Sequence, residues 1–227
     1  MSLLIIIPAY NEEENIERVV NNLQKNYSQY DYVVVNDGSK DNTEKICLQH
    51  GFNLVSLPVN LGLAGAFKAG MVYAKKHDYD YAIQFDGDGQ HNPEYIEEML
   101  KKFEEDYDIV IGSRFATEKK PGGMRMAGSN IIQSAIRLTT GKLIKDPTSG
   151  MRIFNKKMIK RFASYNNYGP EPDTVAYLMR TGAKVAEVQV TMSERTAGES
   201  YLKPAKAIWY MFRICFSIIF IQWFRKE

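Results

Sequence analysis

The sequence predicts an α/β protein whose mostly parallel sheet is covered by helices on both faces. Apolar segments of strand length alternate with amphipathic helical segments from residue 3 to residue 111. The strand segments are apolar at nearly every position, as expected when helices cover both faces of a sheet. This alternation favours right-handed crossovers between parallel strands, and ligands bind beyond the carboxyl ends of such strands.

The first half of the chain supplies five predicted strands joined by four predicted helices. Ile16, Val20 and Leu23 share one face of the first helix, and its acidic first turn complements the helix dipole. Pro93 marks the start of the fourth helix. The strands are Leu3–Ile7, Tyr32–Val35, Asn53–Leu57, Tyr81–Phe85 and Ile109–Ile111, and the helices are Glu12–Asn26, Asp41–His50, Leu63–His77 and Glu94–Glu105.

The alternation loosens after Arg114. Segment 116–123, rich in lysine and glycine, is predicted to be a loop. The remaining predicted elements are helices Arg125–Thr139 and Glu171–Arg180, strands Ile153–Phe154 and Lys184–Val190, and a C-terminal helix Ile208–Phe224. We therefore predict one α/β domain over residues 1–200 and an amphipathic helical segment over residues 201–227.

The composition is that of an ordinary globular protein. The 227 residues suffice for a sizeable core, and a net charge of +2 gives no reason to expect nucleic acid as a partner. Cys47 and Cys215 lie far apart without metal-ligand spacing, which favours a reduced, cytosolic environment. The N-terminal apolar run is too short for a signal peptide.

Each predicted strand of the first half is followed by a polar segment. Because the carboxyl ends of parallel strands meet at one edge of a sheet, these five segments are expected to surround one binding site. They are Pro8–Glu12, Asn36–Ser39, Asn60–Gly62, Asp86–Asp88 and Gly112–Arg114.

The segment after the fourth strand has the composition of a cation site. Asp86, Asp88 and Gln90 offer two carboxylates and an amide oxygen, and hard oxygen ligands suit Mg²⁺ or Mn²⁺ better than zinc. One alternative is a glycine-rich turn without a ligand, and another is a calcium loop ending at Glu97. The calcium loop is disfavoured because its sixth position is His91 instead of glycine and because a predicted strand precedes it.

The predicted C-terminal helix is apolar over most of its surface, with basic flanks. A membrane span needs about 20 apolar residues, and an arginine near its centre is costly. The segment therefore fits a helix lying in the membrane interface, where its basic flanks meet anionic lipid. A subunit interface in a homo-oligomer and a helix packed on the core are the alternatives. Its narrow polar stripe consists of Lys206, Tyr210, Arg213 and Ser217.

Seven motifs stand in the order and spacing of one enzyme family. They are PAYNEEENI, VNDGSKDNT, NLGLAGA, DGDGQHNP, GSR, DPTSGMR and ERTAGES. With them, residues 3–200 resemble glycosyltransferase family 2, the inverting nucleotide-sugar transferases with the GT-A fold. The last three motifs are most similar to its polyprenyl-phosphate branch, typified by dolichol-phosphate mannose synthase. The tail departs from the resemblance, because some relatives carry two clear transmembrane helices there.

The resemblance implies roles for the polar residues of the predicted site. Asp37 is expected to recognise uracil or guanine by accepting from a ring N–H, and the alternative is an Asx turn that caps the next helix. Asp86 is expected to meet the ribose or the sugar, whereas Asp88 and Gln90 hold Mg²⁺ or Mn²⁺ between the donor phosphates. The residues expected to bind the donor are Pro8, Ala9, Tyr10, Glu12, Asp37, Gly62, Asp86, Gly87 and Asp88.

The acceptor decides which other residues take part. Arg114 and Arg195 are candidates to bind phosphate, and Arg125 is a weaker one. A sugar hydroxyl needs a base, for which Glu171 and Asp173 are the candidates, although these carboxylates could instead cap the following helix. A lipid phosphate is mostly ionised at pH 7 and needs none. The predicted catalytic set is Asp86, Asp88, Arg114, Arg195, Glu171 and Asp173.

The sequence thus predicts a metal-dependent hexosyltransferase, peripheral on the inner face of the cell membrane. It is expected to use a UDP- or GDP-sugar and a polyprenyl phosphate in the synthesis of cell-envelope glycans. One alternative is a family 2 transferase to a saccharide hydroxyl, and another is a partner subunit that binds nucleotide sugars without turnover. A nucleotidyltransferase is disfavoured because the segment after the first strand is not the glycine-rich, phosphate-binding loop expected in that class of enzyme.

Overall fold

A mixed β-sheet runs through the described part of the chain. The structure is a computed structural model that describes residues 1–85, 91–165, 168–192 and 204–225, without the side chains of 124–125 and 204–208. Its strands are β1 (Leu3–Ala9), β2 (Asp31–Asn36), β3 (Leu54–Ser56), β4 (Tyr81–Gln84), β5 (Ile109–Ser113), β6 (Arg152–Asn155) and β7 (Val185–Gln189).

The strands lie side by side in the order β3-β2-β1-β4-β6-β5-β7. Among them, β6 alone runs antiparallel to its neighbours β4 and β5. The carboxyl ends of the other strands therefore meet at one edge of the sheet, which we call the rim. The five polar segments predicted to converge all follow strands that end at this rim.

Helices cover both faces of the sheet, which confirms the predicted fold class. They are α1 (Ile16–Asn26), α2 (Thr43–Gln49), α3 (Gly62–Lys76), α4 (Ile96–Lys101), α5 (Met124–Thr140), α6 (Lys156–Ser164), α7 (Pro172–Arg180) and α8 (Pro204–Ile219). Alternate residues of β1 serve the two layers, with Leu4 and Ile6 in one and Ile5 and Ile7 in the other. Helices α1, α2 and α4 cover one face, and α3 and α5–α8 cover the other.

Helix α1 begins four residues later than predicted. Residues 12–15 form a turn, because side chains at the start of α2 hold their backbone. The Glu12 amide donates to Thr43 Oγ1 at 2.8 Å, and the Glu13 amide donates to Asp41 Oδ2 at 3.1 Å. These contacts between distant segments draw the loop after β1 towards the loop after β2.

The helix predicted over 94–105 is broken into three pieces. A 3-10 turn at Pro93–Tyr95 precedes α4, and a second one at Lys102–Glu105 follows it. Asp106 then takes a left-handed conformation with φ of 63°, which ends the segment. The last turn of the C-terminal helix is also 3-10, at Ile221–Trp223, and the Trp223 indole donates to the Ile219 carbonyl at 2.8 Å.

Helix α6 is an element that the sequence analysis missed. Asn155 caps it by accepting from the Met158 amide at 3.0 Å, and Met158, Ile159 and Phe162 are buried. This cap followed by apolar residues on one face was the available signal. The helix packs on α3 and contacts β6, the antiparallel strand that precedes it.

Helix α8 packs against the α/β domain. Ile214 and Ile218 are buried in the core layer that also contains α5 and α7. Gly128 of α5 lets Met211 approach closely, because a Cβ there would overlap the Met211 sulfur. No helix in the described ranges is long and apolar enough to cross a bilayer. The predicted boundary at residues 200–201 lies outside the described residues.

Candidate active site

Asp37 connects the loops after β1, β2 and β3. Its side chain is buried, its amide donates to the Ala9 carbonyl at 2.8 Å, and its Oδ1 accepts from the Leu61 amide at 2.7 Å. The turn after β2 uses Asn36, whose Oδ1 accepts from the Ser39 amide at 3.2 Å, and at the start of α2 Asp41 Oδ1 accepts from the Thr43 amide at 3.0 Å. Asp37 therefore fixes the rim above β1–β3 and does not cap α2.

Two glycines in these loops have a left-handed backbone, and the first of them also allows a close approach between loops. Gly38 has a φ of +65°, and a Cβ there would lie 2.7 Å from the backbone of Val59 and Asn60. Gly62 has a φ of +75° at the first residue of α3, with open space beside it. Both positions favour glycine, so backbone rather than side chains lines this part of the rim.

The loop after β1 presents Tyr10 and Glu12 at the same place. Tyr10 is 37% exposed, Pro8 is half-buried and Ala9 is buried. Asn11 has a left-handed backbone with a φ of 56°. Its amide donates to Ser39 Oγ at 3.0 Å, which links this loop to the loop after β2. Glu12 Oε2 accepts from the Asn15 amide group at 2.9 Å. The predicted donor-binding residues of the described loops thus lie together at the rim.

The acidic segment begins where β4 ends. The Phe85 amide donates to the Ile6 carbonyl at 2.9 Å, so the chain enters this segment at the rim beside β1. The preceding element is a strand and not the helix that a calcium loop of the kind considered requires. The predicted ligands and catalytic residues Asp86, Gly87, Asp88, Gln90 and Arg195 lie outside the described residues, as does the side chain of Arg125.

Arg114 is bound by a carboxylate that sequence reasoning missed. Its Nε lies 2.7 Å from Asp146 Oδ2, and its terminal nitrogen lies 2.9 Å from Oδ1. Asp146 is fully buried, whereas a quarter of the Arg114 side chain is exposed. Burial raises the pKa of Asp146, but the hydrogen bonds and charge of Arg114 outweigh it and lower that pKa below its usual range. The pair is ionised and fixed at the end of β5.

Arg152 joins two loops of the rim. This buried residue donates to the Pro170 carbonyl and to the Pro147 carbonyl, both at 2.7 Å. Ser149 adds a hydrogen bond from its hydroxyl to the Gly112 carbonyl. The sequence analysis predicted neither role for the residues of DPTSGMR, and the available signal was the concentration of polar residues in this turn between α5 and the buried strand β6.

Glu171 and Asp173, the candidate bases, bind the polar stripe of α8. Glu171 Oε1 accepts from Arg213 at 3.1 Å, and Asp173 Oδ2 accepts from the Ser217 hydroxyl at 2.7 Å. Asp173 is only 7% exposed, and Arg225 lies 3.8 Å from its Oδ2. Neither carboxylate accepts a capping bond at the start of α7.

Tyr210 belongs to the same cluster. Burial, followed by the charge of Glu171, raises its pKa to about 12, so the phenol stays neutral beside the carboxylates. Glu171 also lies close to the start of α3. The space beside Gly169 separates them, since a Cβ added to this glycine would be 2.8 Å from Glu171 Oε2 and 3.1 Å from Ala64 Cβ. Tyr210, Arg213 and Ser217 of the polar stripe therefore face the loop before α7, next to the rim.

The outward face of the C-terminal helix carries a row of exposed aromatic rings. We call this row the aromatic ridge, and between 45% and 68% of each residue is exposed. Successive ring centroids lie 5.9, 6.2 and 5.1 Å apart. The ridge consists of Trp209, Phe212, Phe216 and Phe220.

Comparison with known proteins agrees with this architecture. The model of the family described as glycosyl transferase family 2 matches residues 4–162. Polyprenol monophosphomannose synthase of Mycolicibacterium smegmatis is 27% identical over 93% of this chain and 84% of its own length. The UDP-N-acetylglucosamine–dolichyl-phosphate N-acetylglucosaminyltransferase of Methanococcus voltae is 34% identical over 70% of this chain and 71% of its own length.

A solved structure confirms the predicted GT-A fold. Glucosyl-3-phosphoglycerate synthase from Mycobacterium tuberculosis, in complex with Mn²⁺, UDP and phosphoglyceric acid, aligns with a TM-score of 0.72 and 17% identity. The alignment covers 100% of this chain and 80% of that chain. Since the family model matches more than half of the sequence, the chain belongs to glycosyl transferase family 2 and is a glycosyltransferase.

Proposed function

We propose that the protein transfers a hexose, with inversion, from a UDP- or GDP-sugar to a polyprenyl phosphate at the inner face of the cell membrane. One observation carries the proposal. Arg213 and Ser217 of the C-terminal helix bind Glu171 and Asp173 next to the rim, whereas the aromatic ridge of the same helix is exposed. Both consequences of this orientation favour a lipid phosphate over a saccharide hydroxyl.

The first consequence concerns the base that a saccharide acceptor needs. Asp173 is buried beneath α8, and Glu171 is paired with the Arg213 guanidinium. The Glu171 carboxylate is thus occupied by a guanidinium, and the buried Asp173 carboxylate has no access to a sugar hydroxyl. A phosphate monoester attacks through an oxygen that is already ionised near pH 7, so these carboxylates are free to hold α8 in place.

The second consequence concerns the membrane. Exposed aromatic residues in a row are suited to the boundary between lipid headgroups and acyl chains, where apolar area is removed from water. Lys203 and Lys226, on either side of the helix in the sequence, are basic residues that anionic lipid would attract. The similar polyprenol monophosphomannose synthase and dolichyl-phosphate N-acetylglucosaminyltransferase support the same acceptor class.

For the donor, we assign the nucleotide to the loops after β1–β3 and the diphosphate to the segment after β4. Asp88 and Gln90 would hold Mg²⁺ or Mn²⁺, because carboxylate and amide oxygens are the ligands that these ions prefer. When bound, the ion neutralises charge on the leaving nucleoside diphosphate. Asp37 and Gly38 would shape the base pocket, with Tyr10 available to pack on the base or ribose. The structurally similar glucosyl-3-phosphoglycerate synthase, crystallised with Mn²⁺ and UDP, supports a divalent cation and a nucleotide donor.

An acceptor assay tests the proposal. The purified protein is incubated with Mg²⁺ or Mn²⁺, labelled UDP- and GDP-hexoses, and undecaprenyl phosphate, and the products are extracted into organic solvent. We expect label in the organic phase with one of the donors. Donor consumption that depends on added oligosaccharide, without a lipid product, would assign the enzyme to saccharide acceptors. Donor binding without transfer to any acceptor would indicate a non-catalytic partner subunit.

Replacing the candidate bases separates the two acceptor classes. We expect Glu171→Gln and Asp173→Asn to keep kcat for lipid-phosphate transfer within about threefold of wild type, because neither group removes a proton from the acceptor. Loss of a general base typically costs about 10²–10⁴-fold. Steady-state kinetics with a saturating acceptor measure the effect. A 100-fold loss of kcat in a variant that stays folded would contradict the proposal.

Replacing the aromatic ridge tests the membrane assignment. We expect the double variant Phe212→Ser/Phe216→Ser to bind anionic vesicles roughly 100-fold more weakly, since each ring contributes about 1.5 kcal/mol of apolar burial. Co-sedimentation with vesicles measures the partition. Point variants are preferable to truncation at Lys203, because α8 also supplies Ile214 and Ile218 to the core.

A matched control uses an apolar residue on the opposite face of the sheet. Leu48 of α2 is 66% exposed, and Leu48→Ser should leave vesicle binding unchanged. Unchanged vesicle binding of the double variant would exclude the aromatic ridge as the membrane contact. The other predicted use of this surface, a subunit interface, would then be tested by the mass of the protein in solution.

A further inference from the structure

Lys120 is a cation to which the reaction proposed above gives no role. It lies in the loop between β5 and α5, and its ammonium group donates to three side-chain oxygens of α5. The distances are 3.0 Å to Ser129 Oγ, 3.1 Å to Asn130 Oδ1 and 3.1 Å to Gln133 Oε1. These acceptors follow one another at helical spacing, so the helix fixes the position of the ammonium group.

All three acceptors are neutral. In the described ranges, no carboxylate lies within ion-pair distance of Lys120, whereas the neighbouring Arg114 is paired with Asp146. Burial and the charge of Arg114 lower the pKa of Lys120, although Asp146 and Glu187 act in the opposite direction from farther away. A cation that is held in place, half-buried and not neutralised is suited to an anionic ligand.

Lys120 and Arg114 lie on the same aromatic ring. The Phe115 centroid is 5.3 Å from Arg114 Cζ and 5.6 Å from Lys120 Nζ. The two cationic groups therefore lie within about 11 Å of each other, both in the segment that follows β5. The Asp146 carboxylate neutralises the first cation, and the second remains to neutralise the ligand.

The place of this pair on the rim indicates which substrate it would meet. The loops assigned to the nucleotide follow β1, β2 and β3, which lie on one side of β4. Arg114 and Lys120 follow β5, which lies on the other side of β4, beyond β6. An anion at this end of the rim is separate from the nucleotide and is the second substrate.

We propose that Lys120 binds the phosphate of the acceptor, with a phosphate oxygen replacing one of the three neutral acceptors Ser129, Asn130 and Gln133 while the other two hold the ammonium group in position. The inference rests on the proposed function and deepens it by naming a residue that recognises the acceptor class. A lysine that served only to tether the loop would affect folding, or both substrates alike. A phosphate-binding lysine affects the acceptor alone.

Steady-state kinetics of three variants test the proposal. For Lys120→Gln we expect the KM for polyprenyl phosphate to rise about 10- to 100-fold, as for the loss of one charge-assisted hydrogen bond, with the KM for the donor within twofold of wild type. Lys120→Arg keeps the charge and should restore most of the affinity. Lys119→Gln removes the exposed neighbouring charge and should behave as wild type.

A binding measurement tests Lys120 without turnover. Isothermal titration calorimetry measures the affinity for a water-soluble short-chain prenyl phosphate in the presence of UDP and Mn²⁺. Weaker binding by Lys120→Gln, with an unchanged melting temperature, supports the proposal. Equal binding by Lys120→Gln and wild type, or an equal rise of both KM values, overturns it. A wild-type enzyme that forms no lipid-linked product defeats the proposed function instead, and the calorimetric comparison still decides the role of Lys120.

Discussion

Asp88→Asn should reduce transfer to polyprenyl phosphate by about 100-fold or more. The substitution keeps the size of the side chain and removes the negative charge that we assign to the divalent cation. Electrostatic stabilisation by such an ion contributes several kcal/mol, and about 2.7 kcal/mol corresponds to 100-fold in rate. The measurement is label extracted into organic solvent at saturating donor and acceptor, over a titration of Mn²⁺.

The control for Asp88→Asn is an exposed carboxylate far from the rim. Asp78 pairs with Lys156 at 2.8 Å, and 79% of its side chain is exposed, so Asp78→Asn should keep wild-type activity. Asp88→Asn should also keep the wild-type melting temperature, since its role is in the reaction. Retention of more than a third of the wild-type rate, with the same Mn²⁺ dependence, would contradict the assignment of Asp88.

Asp146→Asn should destabilise the protein by about 3 kcal/mol. The substitution leaves the half-buried Arg114 guanidinium without its charged partner, and breaking a buried pair typically costs about 3–5 kcal/mol. We take the lower end because a quarter of the Arg114 side chain reaches solvent. The expected fall in Tm is about 6–12 °C for a chain of this size, measured by thermal unfolding.

The pH dependence of stability provides an independent check on Asp146. Its pKa is lowered in the folded protein, so the unfolded state binds more protons as the pH falls through the unfolded value near 3.9. The contribution of Asp146 is therefore fully present above that pH and is lost below it. Between about pH 5 and pH 3, wild type should lose more stability than Asp146→Asn.

An exposed ion pair is the control for the Asp146 experiment. Asp106 and Lys184 lie 2.5 Å apart, with 88% and 55% of their side chains exposed. Surface pairs of this kind contribute about 0–1 kcal/mol, so Asp106→Asn should change the Tm very little. If Asp106→Asn and Asp146→Asn lowered the Tm equally, the buried Arg114–Asp146 pair would contribute no more to stability than an exposed pair.

The rim could be predicted from the sequence because it depends on local pattern. Apolar strands alternating with helices imply parallel β1–β5, and polar residues directly after each strand must then gather at one edge. Asp37, Tyr10 and Gly62 lie where this reasoning places them. A strand was also predicted at Ile153–Phe154, where β6 lies, but periodicity carried no signal for its direction, which is antiparallel to β4 and β5.

Contacts between distant segments set the rest of the site. Arg114 was predicted as a phosphate ligand, but its partner Asp146 lies 32 positions later, and no local pattern relates the two. Similarly, Tyr210, Arg213 and Ser217 could be assigned to one stripe of α8 because helical spacing determines which residues share a face. Periodicity does not determine which face meets the protein, and carboxylates 42 and 44 positions earlier decided it.

The openness of the aromatic ridge bears on how an acceptor would be selected. Its four rings are each about half exposed or more, so in the described structure they form a surface and not a closed channel. Such a surface can hold a hydrocarbon beside it but has no end wall against which the number of isoprene units is measured. Selection among polyprenyl phosphates would then depend on the phosphate and the first units of the chain. Lipids of different length would be used with similar efficiency.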